Sequence, residues 1–210
     1  MTQTLRIASD AETLQADLYG EIHESGRRAV ILVHGQNWDA SGWRTIADQF
    51  WARHIPALAL NLRGYDGSTG KTDEWAPPKP WSPVADLRAA KQLLRTMGAR
   101  EVALVGASMG GHAVLASSFE DDVECVVSVS APVVETPDEL VRKVSGRKLF
   151  VCADDDASGA WPHVARAFHA ARSPKKLVAF GGKEHSRGMF AAPYGAEAVR
   201  AIVDFVAETI

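Results

Sequence analysis

The sequence has few cysteines and no excess of one charge sign. Its 210 residues include only two cysteines, Cys125 and Cys152, which excludes a fold held together by several disulfides. Lys and Arg number 23 against 26 Asp and Glu, so the net charge is −3, and no basic surface for nucleic acid or an anionic membrane is expected. Both cysteines fall in apolar runs, and we therefore expect reduced thiols in buried strands.

Long apolar runs are also missing. No segment approaches the roughly 20 apolar residues that cross a bilayer, and the N-terminus lacks the basic and then apolar pattern of a secretory signal. We therefore expect a cytoplasmic protein with no membrane partner. Because 46% of the residues are hydrophobic, the chain is able to bury one sizeable core, and we expect residues 1–210 to form a single domain.

Signals for a bound metal or nucleotide are weak. No group of His, Cys and carboxylate residues has the spacing of metal ligands. Residues 64–72 resemble a phosphate-binding P-loop, but five residues rather than four separate Gly64 from the Gly70-Lys71 pair. Prolines at positions 77, 78 and 80 also prevent the helix whose N-terminal amides would hold a phosphate. The sequence therefore predicts no metal, nucleotide or other cofactor.

Apolar strands and amphipathic helices alternate along most of the chain. An N-terminal hairpin is predicted over residues 5–8 and 14–21, with one turn at Ser9-Asp10 and another at Ser25-Gly26. Further strands are predicted at 29–33, 56–62, 102–105, 125–129, 148–152 and 176–180, and helices at 42–54, 83–97, 109–119, 137–144, 158–171 and 195–206. Ser82 is expected to cap the second helix, with Pro83 at its first position. This order predicts an α/β fold with a doubly wound, mostly parallel sheet, helices on both faces and ligands at the carboxyl ends of the strands.

The most informative motif is Gly-Ala-Ser-Met-Gly at residues 106–110, directly after the strand at 102–105. It matches the G-x-S-x-G nucleophile elbow, in which a serine occupies a strained turn between a strand and a helix. The glycines let the backbone pass close to the serine on both sides. We therefore predict that Ser108 is a nucleophile presented at the end of the sheet.

A second motif, His-Gly-Gln-Asn at residues 34–37, follows the strand at 29–33. An acyl-transfer site needs two N–H donors for its oxyanion, one from the residue after the nucleophile and one from the loop after an earlier strand. Here those donors are the backbone amides of Met109 and Gln36. With these two motifs the chain resembles the α/β-hydrolase family.

In that family an acid and then a histidine follow the serine along the chain. Asp156, after the strand at 148–152, fills the acid position, and His185, after the strand at 176–180, matches the histidine. The resemblance therefore implies a triad of Ser108, Asp156 and His185.

The identity of the acid remains open at the level of sequence. Ala153 stands where the family commonly has a glycine, so a turn shifted along the chain would make Asp154 the acid. Glu135, after the preceding strand, is a weaker alternative. Asp155 is expected to be a solvated turn residue.

Residues 131–147 are too few for the cap domain that many relatives carry at this position, which predicts a cap-less fold with an open pocket. The predicted substrate-binding residues are large side chains near the strand ends, together with one polar neighbour, Asn37. They are Asn37, Trp38, Tyr65, Trp75, Trp161 and Met189.

The resemblance implies a compact serine hydrolase similar to the small carboxylesterases and the dienelactone hydrolases, acting on esters of small to medium acyl groups. The dienelactone branch often has cysteine as nucleophile, so the serine of this chain favours ester chemistry. Two alternatives remain open: acyl transfer or perhydrolysis with the same triad, and a small-molecule receptor or scaffold with little turnover. The natural substrate and the oligomeric state are not fixed by the sequence.

Overall fold

A single eight-stranded sheet forms the centre of the protein. The computed structural model describes residues 2–22, 27–119 and 123–210, so the predicted turn at Ser25-Gly26 lies outside the described residues. The strands are β1 (Thr2–Ser9), β2 (Glu12–Tyr19), β3 (Arg28–Val33), β4 (Ala57–Leu60), β5 (Glu101–Ala107), β6 (Cys125–Val129), β7 (Arg147–Ala153) and β8 (Lys175–Phe180). Their order across the sheet is β1-β2-β4-β3-β5-β6-β7-β8. β2 pairs antiparallel with β1 and β4, and all other pairs are parallel, which confirms the predicted sheet.

Helices connect the parallel strands. They are a 3₁₀ turn at Ala40–Trp43, α1 (Arg44–Trp51), α2 (Ser82–Thr96), α3 (Met109–Ser117), α4 (Asp138–Val141), α5 (Ala160–Ala170), α6 (Gly188–Ala191) and α7 (Gly195–Ala207). The prediction missed α6, a single turn too short to leave a periodic pattern.

The predicted helix ends need correction at three places. Ser82 does not cap α2: it is the first helical residue, Trp81 is the cap, and the Ser82 hydroxyl bonds to Asp73 instead. The helix predicted from residue 42 begins as the 3₁₀ turn. The Asp39 carboxylate caps this turn by accepting a hydrogen bond of 2.8 Å from the Ser41 amide. α5 begins at Ala160, later than predicted. Gly159 has φ 76°, a left-handed conformation that cannot be part of the helix, so the helix starts after it.

Two apolar layers cover the two faces of the sheet. Side chains from α2, α3 and α5, among them Leu87, Val114 and Val164, pack on one face. Side chains from α1 and α7, such as Phe50 and Ile202, pack on the other. The side chains of a central strand point alternately into the two layers and are buried in both. This explains why the sequence of β3 is a continuous apolar run.

The two cysteines are both free and buried, as predicted, Cys125 in β6 and Cys152 in β7. The described residues form no cap domain, since the connection between β6 and β7, residues 130–146, contains only the short helix α4. Within the described ranges, no helix is both long and apolar enough to span a membrane.

The register of the parallel strands brings their carboxyl ends to one edge. Val33 of β3 pairs with Gly106 of β5, and Val129 of β6 pairs with Val151 of β7. At the next pair, Ala153 of β7 lies opposite Phe180 of β8. The loops that follow β3, β5, β7 and β8, which carry the predicted site residues, therefore leave the sheet side by side.

Candidate active site

Ser108 lies at a sharp corner between β5 and α3. Its backbone has φ 54° and ψ −119°, in the left-handed region that costs a non-glycine residue about 1–3 kcal/mol. The corner is fixed by a hydrogen bond from the Ser108 amide to the Val129 carbonyl at 2.8 Å. A Cβ added to Gly106 would lie 2.1 Å from the Gly110 carbonyl oxygen, so the chain passes too close to itself there for any other residue.

The side chains of Ser108, His185 and Asp156 form a continuous line of hydrogen bonds. His185 Nε2 lies 2.8 Å from Ser108 Oγ. On the other side of the ring, His185 Nδ1 lies 3.0 Å and 2.9 Å from the two carboxylate oxygens of Asp156. The Asp156 side chain is fully buried, whereas that of His185 is 28% exposed. An imidazole between a hydroxyl and a buried carboxylate is able to accept the hydroxyl proton and to keep the resulting charge.

The other carboxylates considered as the acid make different contacts. Asp154 accepts a hydrogen bond from the backbone amide of Gly182 at 3.2 Å. Asp155 is exposed and lies 3.6 Å from Lys183, and Glu135 is exposed in the loop after β6. Of these carboxylates, Asp156 is the one for which a hydrogen bond to His185 is seen. The turn after β7, which has Ala153 at its start, therefore places Asp156 against the imidazole of His185.

The Asp156 carboxylate is held by several donors. Burial acts most strongly on its pKa and raises it, but hydrogen bonds from the Ser158 hydroxyl, His185 and the Ser158 amide, together with the charge of His185, bring the pKa below its usual value. The Cys152 thiol, 3.7 Å from Oδ2, adds a weak donor. Burial, followed by the nearby Asp156 charge, raises the pKa of Cys152 to about 12, so that this thiol keeps its proton.

Ser158 is the site residue that the sequence analysis missed. Its hydroxyl lies 2.6 Å from Asp156 Oδ1 and 2.7 Å from His185 Nδ1. The Asp-x-Ser spacing is the available signal, because an Asp side chain often accepts from the amide two residues later. That signal is common to ordinary turns and does not distinguish a site from a turn.

The loop after β3 runs alongside the serine. A Cβ added to Gly35 would lie 3.1 Å from Ser108 Cβ, which places the predicted Gln36 segment next to the nucleophile corner. Met109 is the first residue of α3, and an amide at that position has no acceptor within its own helix. Both amides predicted to bind an oxyanion thus belong to segments that flank Ser108.

Two of the predicted substrate-binding residues, Tyr65 and Trp38, lie near these segments. The Tyr65 hydroxyl donates to Met109 Sδ at 4.0 Å, and its ring lies 4.4 Å from that of His34. Trp38 packs between the Trp43 ring at 5.2 Å and the Arg187 guanidinium at 5.6 Å. Both side chains are half-buried and keep some accessible surface.

The remaining predicted wall residues differ in their placement. Asn37 is exposed, and Trp161 is half-buried against the apolar layer formed by α2, α3 and α5. Trp75 packs on the rings of Trp81 and His112, at 5.4 Å and 4.9 Å. Met189 is fully buried in the apolar layer formed with α1 and α7. Its position does not support the prediction of a substrate contact, because no part of its side chain is accessible to a ligand.

A groove of about 920 Å³ lies between α2, the C-terminal end of α3 and α4. Trp75, Trp81, Val84, Phe119 and Leu140 contribute its apolar wall, and Ser108 is not among its lining residues. In the part of the chain that the structure describes, no group of three His, Cys, Asp or Glu side chains is placed to hold a metal ion.

The family model of the alpha/beta hydrolase family matches residues 30–208, and the chain therefore belongs to that family. No curated protein sequence matches the chain significantly. Solved structures that share the fold include a predicted CIB-like hydrolase from Thermoplasma acidophilum, with a TM-score of 0.80 at 19% identity over 99% of both chains. Est1E from Butyrivibrio proteoclasticus with bound ferulic acid has a TM-score of 0.80 at 15% identity over 98% of both chains. A Paleococcus ferrophilus monoacylglycerol lipase has a TM-score of 0.77 at 16% identity, covering 94% of this chain and 99% of its own.

Proposed function

We propose that this protein is a serine hydrolase that cleaves carboxylic esters of small to medium acyl groups through an acyl-enzyme intermediate. The observation that carries the proposal is the hydrogen-bonded line from Ser108 through His185 to Asp156, with the serine at a strained strand-to-helix corner. The monoacylglycerol lipase and the bound ferulic acid named for fold neighbours are in keeping with ester substrates.

Each group has a defined role in the proposed reaction. His185 Nε2 takes the hydroxyl proton as Ser108 Oγ attacks the acyl carbon, and it later gives that proton to the leaving alcohol. Asp156 keeps the imidazole in the required tautomer and stabilises its charged form. The amides of Gln36 and Met109 donate to the oxyanion of the tetrahedral intermediate. Water, activated by His185 in the same way, then releases the acid. The roles need no cofactor.

Two alternatives share the same geometry. Acyl transfer or perhydrolysis differs only in the nucleophile that attacks the acyl-enzyme, which is an alcohol, amine or peroxide instead of water. A receptor of this fold would bind or react once and turn over little. We favour hydrolysis, because Ser108 is half-buried rather than sealed from solvent, so that water has access to the acyl-enzyme.

The experiment measures p-nitrophenyl acetate and butyrate hydrolysis together with labelling by a fluorophosphonate. Wild-type protein is expected to turn over many times and to bind one label. Ser108→Ala should lose the label and about 10⁴-fold or more in kcat, with residual rate from the oxyanion donors. Ser186→Ala, which removes a buried hydroxyl with no hydrogen-bond partner among the described residues, is the matched control and should behave as wild type. Labelling that persists in Ser108→Ala would exclude Ser108 as the nucleophile, and one turnover without release would favour the receptor.

A further inference from the structure

The Ser158 hydroxyl contacts both partners of the serine nucleophile. Its oxygen lies 2.6 Å from Asp156 Oδ1 and 2.7 Å from His185 Nδ1, and the Ser158 amide donates to the same Oδ1 at 2.9 Å. We propose that Ser158 is a positioning residue, which orients the Asp156 carboxylate and selects the tautomer of His185 that accepts the proton of Ser108. This inference rests on the proposed function of the site.

The proton positions follow from the chemistry of the three groups. An ionised carboxylate only accepts hydrogen bonds, so the Ser158 hydroxyl donates its single proton to Asp156 Oδ1. Towards His185 Nδ1 the Ser158 oxygen can then only accept, and Nδ1 therefore carries a proton. Because neutral imidazole has one N–H, Nε2 keeps its lone pair and faces Ser108 Oγ at 2.8 Å. This is the arrangement that a general base requires.

The opposite assignment leaves unfavourable contacts. If Ser158 donated to Nδ1, the Nδ1 lone pair would face two carboxylate oxygens at 2.9 Å and 3.0 Å with no proton between them. Nε2 would then carry the proton and would be unable to accept another from Ser108. Ser158 and Asp156 together thus act against the inactive tautomer.

The surrounding turn allows Ser158 to be changed without loss of the fold. Ser158 is exposed, so its side chain contributes nothing to either core. Two hydrogen bonds of the turn do not depend on the Ser158 side chain. The Ser158 amide donates to Asp156 Oδ1, and the Gly159 amide donates to the Asp156 carbonyl oxygen at 2.8 Å. Ser158→Ala therefore keeps the turn and removes one hydroxyl.

The test compares Ser158→Ala with Ser158→Thr, which keeps the hydroxyl, and with Ser186→Ala as the control. Ser158→Ala is expected to lower kcat for p-nitrophenyl acetate about 10- to 100-fold, the effect of losing one hydrogen bond to a charged group, and to leave KM unchanged. Ser158→Thr should recover most of this loss. In an Asp156→Asn background, Ser158→Ala should have little further effect, because no carboxylate remains to be oriented.

A second readout does not depend on turnover. In protein labelled with ¹⁵N-histidine, His185 is expected to show a protonated Nδ1 in wild type and a larger share of the Nε2–H tautomer in Ser158→Ala. Equal kcat and equal His185 spectra in wild type and Ser158→Ala would overturn the inference. So would an equal loss in Ser158→Thr, or the same loss with Asp156→Asn as without it. Failure of the proposed function is a separate result, recognised by wild-type protein that neither turns over esters nor takes the fluorophosphonate.

Discussion

The Nδ1 atom of His34 donates a hydrogen bond to the carbonyl oxygen of Gly35, the next residue, at 2.8 Å. The Leu62 amide donates to Nε2 of the same ring at 3.2 Å, so Nε2 is unprotonated and Nδ1 carries the proton. Burial lowers the pKa of His34 and keeps the ring neutral, as both contacts require. Because N–H and C=O of a trans peptide point in opposite directions, fixing the Gly35 carbonyl towards His34 turns the Gln36 amide away from it. His34 thereby sets the orientation of one proposed oxyanion donor.

A side chain at Gly35 is expected to disturb this donor. A Cβ there would lie 2.6 Å from Trp38 Nε1 and 3.1 Å from Ser108 Cβ, so either the loop or the serine has to move. For Gly35→Ala we expect kcat to fall about 10²-fold, the cost of losing one oxyanion donor. Gly181→Ala, on the loop that carries His185, is the matched control because nothing lies within 4 Å of its added Cβ. Equal activity of the two variants would argue against an oxyanion role for this loop.

The three aspartates after β7 are expected to differ sharply when each is changed to asparagine. Asp156→Asn should keep the packing but favour the wrong imidazole tautomer, with a loss of about 10⁴-fold in kcat. Asp154→Asn should be mild, since an asparagine oxygen is able to accept from the Gly182 amide as the carboxylate does. Asp155→Asn should be nearly silent, because its exposed pairing with Lys183 contributes little. The measurement is kcat on p-nitrophenyl acetate, and a larger loss in Asp154→Asn than in Asp156→Asn would reverse the assignment of the acid.

The sequence predicted the strands and the order of the site residues because each signal is local. A buried parallel strand is a short apolar run, and the elbow serine needs close glycines on both sides, as the Gly106 contact with Gly110 demonstrates. Ser158 and Met189 depend instead on tertiary placement. Ser158 acquires its contact with His185 only when the loops after β7 and β8 meet, and Met189 turns inward with α6, a helix too short to predict. The burial of single side chains on such loops has no periodic signature.

His112 is expected to make stability depend on pH. It is packed against Trp75 and Trp81, and its Nε2 lies 2.9 Å from the Thr136 hydroxyl. Burial, and secondarily the charge of Arg166, lowers the pKa of His112 from 6.5 to about 4. Between these values the unfolded chain binds more protons than the folded protein, so the free energy of unfolding falls as the pH decreases from 6.5 towards 4. His112 alone is expected to lower the free energy of unfolding by about 3 kcal/mol at the low end of this pH range.

Urea unfolding of wild type and His112→Gln at pH 7 and pH 4 measures this share. The decrease between the two pH values should be smaller in His112→Gln, although His34, whose pKa is also lowered, continues to contribute. His169→Gln changes an exposed histidine of α5 and should leave the decrease as in wild type. The same decrease in all three proteins would mean that His112 accepts a proton in the folded state without cost.

The acyl preference is expected to follow from the missing cap. Without a cap domain the site is expected to be shallow and to bury few methylenes, each of which contributes only about 0.8 kcal/mol. Acetate and butyrate esters should therefore be hydrolysed with higher kcat/KM than octanoate, and octanoate with higher kcat/KM than palmitate. Val134, 45% exposed, is the only exposed large apolar side chain in the described ranges, so outside the groove little apolar surface is available for an oil–water interface.

Rates on these four esters, measured below and above their solubility limits, decide between an open site and a lid-gated one. For an open site the rate should rise smoothly with substrate concentration, with no jump at the solubility limit. A gated lipase has to expose an apolar cover, at about 25 cal/mol per Å², and an interface repays that cost. A palmitate optimum with activation at the interface would contradict the open site. It would then identify residues 66–81, which contribute Trp75 and Trp81 to the wall of the groove, as a cover that moves.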